Sequence, residues 1–156
     1  MDVRYSLVET AWGEFLVGWC GKGVVSLRFP GTFPRVPLAR ATGPALRLAR
    51  ELKEYLAGVR RDFTVPVALT GTEFQLRVWK ALLEVPCGKT VTYGELARRI
   101  GRPRAARAVG GAVGANPIPI VIPCHRVVPK TGGIGNYGPG PHWKRELLRL
   151  EGALRC

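Results

Sequence analysis

One stretch of this sequence combines groups able to make and break covalent bonds. Residues 115–128 read Ala-Asn-Pro-Ile-Pro-Ile-Val-Ile-Pro-Cys-His-Arg-Val-Val, so an apolar β-like run delivers Cys124 between a proline and His125. A thiol becomes a useful nucleophile when a neighbouring base or positive charge favours its thiolate, and His125 and Arg126 are the nearest candidates. Neighbours on an extended strand point to opposite faces, so His125 need not touch the sulfur and could act through a water. Taken alone, a Cys-His dipeptide fits a buried core thiol beside an incidental histidine more readily than a catalyst. The other cysteines, Cys20, Cys87 and Cys156, form no CxxC pair with it or with each other. Neither His125 nor His142 stands at zinc-ligand spacing from paired cysteines, so neither a metal site nor a disulfide framework is expected. Cys87 and Cys156 read as structural or incidental thiols, and His142 as a loop residue.

The elements that must position Cys124 belong to a chain of 156 residues and 17.0 kDa, enough for one domain or two small lobes. With 46% hydrophobic, 22% charged and 8% aromatic residues, a packed core is available and wholesale disorder is not expected. No apolar run reaches the roughly 18 residues of a membrane span, and MDVRYSLVET lacks the basic-then-apolar order of a signal peptide. A cytoplasmic protein, or a nuclear one in a eukaryote, is expected. The preference for Arg over Lys, with one Gln and two Asn, is a pattern of heat-adapted proteins.

Apolar and polar residues alternate around Val3, Tyr5 and Leu7, then Phe15, Val17 and Trp19, then Val25, Leu27 and Phe29. Breaks at Ala11-Trp12-Gly13 and Gly21-Lys22-Gly23 make this an antiparallel three-strand meander. Residues 30–37, rich in proline, end it. Over 44–57 the apolar positions take helical spacing, with Gly58 placed to cap, and a further short strand is expected over 62–68. Composition shifts at Thr70-Gly71, which divides the chain into 1–69 and 70–156.

Beyond that boundary, Thr72 with Gln75 has capping-box form and opens a helix bearing Phe74, Val78, Trp79 and Leu82 on one face, stopped by Pro86 and Gly88. Thr92 with Glu95 opens a second, closed by Gly101, and Pro103 begins a third that runs to about Gly114. Helix, tight turn and helix in this space form a helix-turn-helix. The second helix of the pair carries three glycines, each costing about 1 kcal/mol relative to alanine. Small residues allow a close approach, either to a DNA groove, with Arg104 and Arg107 on one face, or to a neighbour inside the protein. The charge favours a polyanion: 24 Lys+Arg against 11 Asp+Glu gives +13, and residues 96–145 contain no acid but nine basic residues. A solubilising surface is the alternative.

The ordered set FQLRVWKALLEVPCGKTVTYGELA, RAARAVGGAVGANP, PCHRVV, GGIGNYGPG, WKRELL and LEG, spanning about residues 72–152, closely resembles the O6-alkylguanine-DNA alkyltransferase family, also called methylated-DNA–protein-cysteine methyltransferases. The N-terminal half resembles it only in its strand-rich pattern. The resemblance implies an α/β fold with a small strand-rich N-terminal lobe, antiparallel sheet plus helix, and a mostly helical, winged-helix-like C-terminal lobe. It implies a monomer with no cofactor whose partner is double-stranded DNA containing O6-alkylguanine. Carried over by position, Cys124 accepts the alkyl group and His125 takes its proton through a water. Glu151 orients and charge-stabilises His125, and Asn116 braces the loops around the cysteine. Arg107 is the finger that occupies the space of an everted guanine. Tyr93 turns the 3′ phosphate and hydrogen-bonds the flipped base. Arg104, Ala105, Ala106 and Gly110 lie on the DNA-facing helix, which the family places in the minor groove. Tyr137 lines the base pocket, with backbone near Val127 and Gly138 reading the guanine edge.

The product of such a transfer is a thioether, which has no electrophilic carbonyl for water to attack, so each molecule would act once. This chain departs from the family at Gly138-Pro-Gly-Pro141, where some members have a serine after Asn-Tyr, which leaves the range of alkyl groups open. Some members bind zinc in the N-terminal lobe; Cys20 occurs where a ligand would stand but has no histidine partner nearby, so that site is expected to be absent. A non-catalytic lesion-binding relative is the main alternative. In that group tryptophan replaces the cysteine, and Cys124 argues against it. A Cys-His hydrolase and a plain DNA-binding regulator are further alternatives.

Overall fold

The period-2 alternation of the first thirty residues becomes three strands in the computed structural model, which describes residues 2–154. β1 (Arg4–Thr10), β2 (Gly13–Cys20) and β3 (Gly23–Arg28) pair antiparallel in the order β1-β2-β3, with Thr10 opposite Gly13 across the first tight turn. The central strand β2 is buried on both faces from Phe15 to Cys20, whereas β1 alternates. Helix α1 (Gly43–Leu56) covers the sheet with Ala45, Leu48, Leu52 and Tyr55, begins with Pro44 in its first turn and ends at Gly58, whose φ of +79° suits the left-handed cap. These elements form the first of two compact units, Met1–Thr70 and Gly71–Cys156.

The strand expected over 62–68 is not formed. Only the single bridge Val24–Val67 remains, with Val24 donating to the Pro66 carbonyl and Ala68 to that of Val24. The reason is a side chain: the carboxylate of Glu51, fully buried on α1, accepts from the backbone N–H groups of Thr64 and Val65 and from the Thr64 hydroxyl. Those donors are spent, and Pro66 has none. Gly23 allows the segment to come this close, since a Cβ there would stand 2.5 Å from the Pro66 carbonyl oxygen.

The second unit is mainly helical. Both capping boxes form: Thr72 and Gln75 open α2 (Glu73–Leu83), and Thr92 and Glu95 open α3 (Tyr93–Arg99). Between them lies the two-residue strand β4 (Val91–Thr92). Gly101 closes α3 as expected, but the next helix, α4 (Ala106–Gly114), starts three residues after Pro103. Arg102–Ala105 forms a turn instead, closed by the Ala105 N–H on the Arg102 carbonyl, so Arg104 precedes the helix that carries Arg107. The glycine-rich helix packs inside the protein on one face and is open on the other. Val109, Ala112 and Val113 are buried in packing with α2 and α3, fastened by Trp79 Nε1 donating to the Ala112 carbonyl at 2.9 Å, while Arg107, Ala108 and Gly111 are exposed.

The apolar run before Cys124 is not a strand. Pro117, Pro119 and Pro123 cannot donate to a ladder, and residues 118–122 instead close a buried turn, Ile122 N–H on the Ile118 carbonyl, with Ile120 at φ +74°. Cys124–Arg126 is one turn of 3₁₀ helix. Strand β5 (Val127–Val128) follows and pairs parallel with β4, which ties the cysteine turn beside the N-terminus of α3. Helix α5 (Pro141–Leu150) ends at Glu151.

Candidate active site

Cys124 lies at the wall of a cavity of about 210 Å³, together with Tyr93, Asn116, Tyr137, Gly138 and Gly110. The parallel β4–β5 pair brings the cysteine turn to the start of α3, where Tyr93 is the first residue. Gly110 on α4 forms the adjoining wall, where a Cβ would make an ordinary van der Waals contact with the Tyr93 ring at 3.7 Å. Asn116 braces the loop: its Nδ2 donates to the Ile122 carbonyl at 2.7 Å and its Oδ1 accepts from the Ile118 N–H at 2.9 Å. The Tyr137 hydroxyl oxygen stands 3.7 Å from the sulfur.

Behind the sulfur lies a buried polar chain. His125, fully buried, donates from Nε2 to Glu151 Oε2 at 2.9 Å, given that the carboxylate can only accept. This fixes the tautomer, leaving Nδ1 with a lone pair and no hydrogen-bond partner among the described residues. Burial lowers the His125 pKa against the opposing pull of Glu151, so the ring is neutral and able to accept a proton. Burial pushes the Cys124 thiol up, opposed by hydrogen bonds from Asn116 and Tyr137 and by the charge of Lys144, so the resting sulfur is protonated. Tyr93 is also raised, by burial and by the proximity of Cys124, and keeps its phenolic proton.

Arg126 does not serve the sulfur as its sequence position suggested. Its Nε and Nη2 donate to the two oxygens of Glu151 at 2.9 and 2.8 Å, and its Nη1 donates to the Val85 carbonyl. It therefore holds Glu151 as a carboxylate. The cation that acts on Cys124 is Lys144, 1% exposed, whose pKa burial lowers to about 8. Its Nζ donates to the carbonyls of Val127 at 2.7 Å and Asn136 at 3.4 Å. In the sequence Lys144 stands as one of nine basic residues within 96–145. The signal was available in the helical spacing, because Lys144, Leu147, Leu148 and Glu151 share the buried stripe of α5 and its cap. Val127 does not line the cavity, and its carbonyl is engaged by Lys144.

Arg107, with Arg104, Ala105 and Ala106, lies at the N-terminal end of α4 and outside the cavity lining. With Arg126 and Lys144 buried, the field of residues 96–145 comes from the other seven basic residues, Arg98, Arg99, Arg102, Arg104, Arg107, Lys130 and Arg145, all exposed. Among the described residues, no cluster of three His, Cys, Asp or Glu side chains could hold a metal. Cys156 lies outside the described residues.

A cavity ending on a cysteine, with a neutral histidine and a buried carboxylate behind it and a helix-turn-helix forming one wall, coincides with a family match. The family model described as 6-O-methylguanine DNA methyltransferase, DNA binding domain, matches residues 73–153. The chain belongs to the 6-O-methylguanine DNA methyltransferase family. The inducible methylated-DNA–protein-cysteine methyltransferase of Bacillus subtilis is 42% identical over 96% of this chain and 85% of its own length. A methylated-DNA–protein-cysteine methyltransferase of Mycobacterium tuberculosis is 54% identical over 65% of this chain and 61% of its own. Among solved structures, that of Mycobacterium tuberculosis OGT in complex with DNA superposes with a TM-score of 0.88 at 42% identity, covering 97% of this chain and 94% of that one. The methyltransferase fold expected from the sequence, a strand-rich first half and a helical second half, is the fold observed.

Proposed function

We propose that this methyltransferase-family chain reverses O6-alkylguanine damage in double-stranded DNA by transferring the alkyl group, methyl or larger, to Cys124, once per molecule. The observation that carries this reading is the cavity with Cys124 at its wall and the His125–Glu151 pair behind it. The O6 atom of guanine is out of reach inside a duplex, so the base must be everted into the cavity. Arg107 fills the gap in the stack. Exposed basic residues around α3 and α4 hold the backbone, with Tyr93 turning the 3′ phosphate. His125 Nδ1 takes the thiol proton through a water, supported by its unpaired buried lone pair. The sulfur attacks the alkyl carbon in line, the S–C bond forming as the C–O6 bond breaks and its electron pair leaves on O6. Tyr93, raised and therefore protonated, donates so that guanine departs neutral. One proton has left the thiol and one has reached guanine, so His125 and Tyr93 regain their starting forms by exchange.

The protein acts on this reading as a monomer in the cytoplasm, or in the nucleus of a eukaryote. No helix of the described residues is long and apolar enough to cross a membrane. The non-catalytic lesion-binding reading is disfavoured by the nucleophile itself. With duplex O6-methylguanine in excess, guanine should be restored to one equivalent of protein and then stop; continued turnover, or no restoration, contradicts the proposal.

A further inference from the structure

Cys124 is 6% exposed, so its thiolate, once formed, has little water to solvate it. The His125–Glu151 pair removes the proton through a water, but the resting His125 points its only N–H at Glu151 and none directly at the sulfur. Two side chains bond the sulfur directly, Asn116, whose Nδ2 also donates to the Ile122 carbonyl, and Tyr137. The Tyr137 hydroxyl is placed to donate to the anion: it lies 3.7 Å from Sγ, within sulfur hydrogen-bonding range, and a phenol both accepts and donates. Lys144 fixes this arrangement. One ammonium bonds the Val127 carbonyl, three residues after Cys124, and the Asn136 carbonyl, one residue before Tyr137, so it joins the two segments that carry the contact.

We propose that Tyr137 is a catalytic residue, accepting the S–H hydrogen bond in the resting thiol and turning to donate to the sulfur as Cys124 ionises, with Lys144 as the positioning residue and counter-charge. This rests on the alkyl-transfer reading and adds to it an arm separate from the His125–Glu151 relay. In the step, the proton leaves Sγ for His125 and Tyr137 keeps its own. The ionisable and charged groups around the sulfur divide accordingly. Tyr93 from α3 serves the leaving base, and His125 on the cysteine turn serves the proton. Arg126 is committed to Glu151. Tyr137 from the loop and Lys144 from α5 serve the anion.

The test uses the full-length protein and follows iodoacetamide alkylation of Cys124, by peptide mass, against pH. Tyr137→Phe keeps the ring and removes the donor. It should move the inflection upward by about one unit, a tenfold loss of thiolate at any pH below it. A monofluorinated tyrosine installed at 137 is a stronger donor and should move it downward, which a merely structural role would not do. Lys144→Gln keeps a donor for the two carbonyls but removes the charge, and should also raise the inflection. If the inflection stays in place in Tyr137→Phe while the wild type repairs DNA, the proposal is overturned and alkyl transfer stands. If it shifts but the wild type repairs nothing, the coupling stands and the alkyl-transfer reading falls.

Discussion

Replacing Glu151 with Gln perturbs the network behind Cys124 by one atom and one charge. The Glu151 carboxylate accepts from Arg126 on both oxygens and from His125 Nε2, with its side chain 1% exposed. An amide offers only one oxygen, so its NH₂ must confront a donor of either His125 or Arg126, and the buried guanidinium loses its counter-charge. Removing one partner of a buried ion pair costs about 3–5 kcal/mol. For a chain of this size each kcal/mol corresponds to about 2–4 °C in Tm, so a drop of roughly 6–20 °C is expected by calorimetry. Repair should also slow by tenfold or more, because the charge that raises the His125 pKa has gone; one pKa unit is about 1.4 kcal/mol. Stability and rate can be separated with the double variant Glu151→Gln/Arg126→Met. There the stranded cation is absent and the Gln oxygen is available to His125, so most of the Tm should return while single-turnover repair of an O6-methylguanine duplex stays slow. Recovery of rate together with stability would show that Glu151 acts only as a structural staple, and an unchanged Tm in the single variant would refute the ion-pair argument itself.

Two further outcomes follow from other parts of the molecule. Burial alone would raise the Glu51 pKa, but bonds from Thr64, Val65 and Arg47 outweigh it and the net shift is downward. A depressed folded pKa contributes stability above the unfolded value, about 4.3, that is lost as pH falls through the folded one. Acid titration of Tm should therefore show a loss beginning near pH 4 that is absent in Glu51→Gln, and identical acid limbs would remove the assignment. On the DNA-facing side, Arg104→Ala should lower the slope of log K against log salt by about 1, as expected for one phosphate contact. Arg107→Ala should weaken repair of duplex DNA far more than reaction with free O6-benzylguanine base, and equal losses on both substrates would remove the finger role.

What the sequence made legible was local. The capping boxes at Thr72–Gln75 and Thr92–Glu95 need only residues three apart, and the alternation that builds β1 to β3 is carried by each strand alone. Misreadings arose where a distant group intervened. The segment 62–68 has strand-like composition, but its N–H groups go to Glu51, more than ten residues earlier. The run before Cys124 is apolar enough for a buried strand, yet its three prolines make it a turn, a cue present in the sequence itself. Arg126 and Lys144 carry charges any count will include, but their partners, Glu151, Val85, Val127 and Asn136, become visible only in three dimensions. Cys124 and His125 stand out by residue type alone, whereas their weight as a site and the bracing role of Asn116 rest on the family resemblance rather than on periodicity.

The central claim is that the alkyl group ends on one sulfur. Protein incubated with a duplex containing O6-methylguanine, then digested and weighed, should carry a methyl in place of the thiol hydrogen on the peptide containing Cys124, in step with guanine restored, and Cys124→Ser should show neither. A methyl found on Cys20, Cys87 or Cys156 instead, or repaired guanine with every cysteine unmodified, would contradict the account.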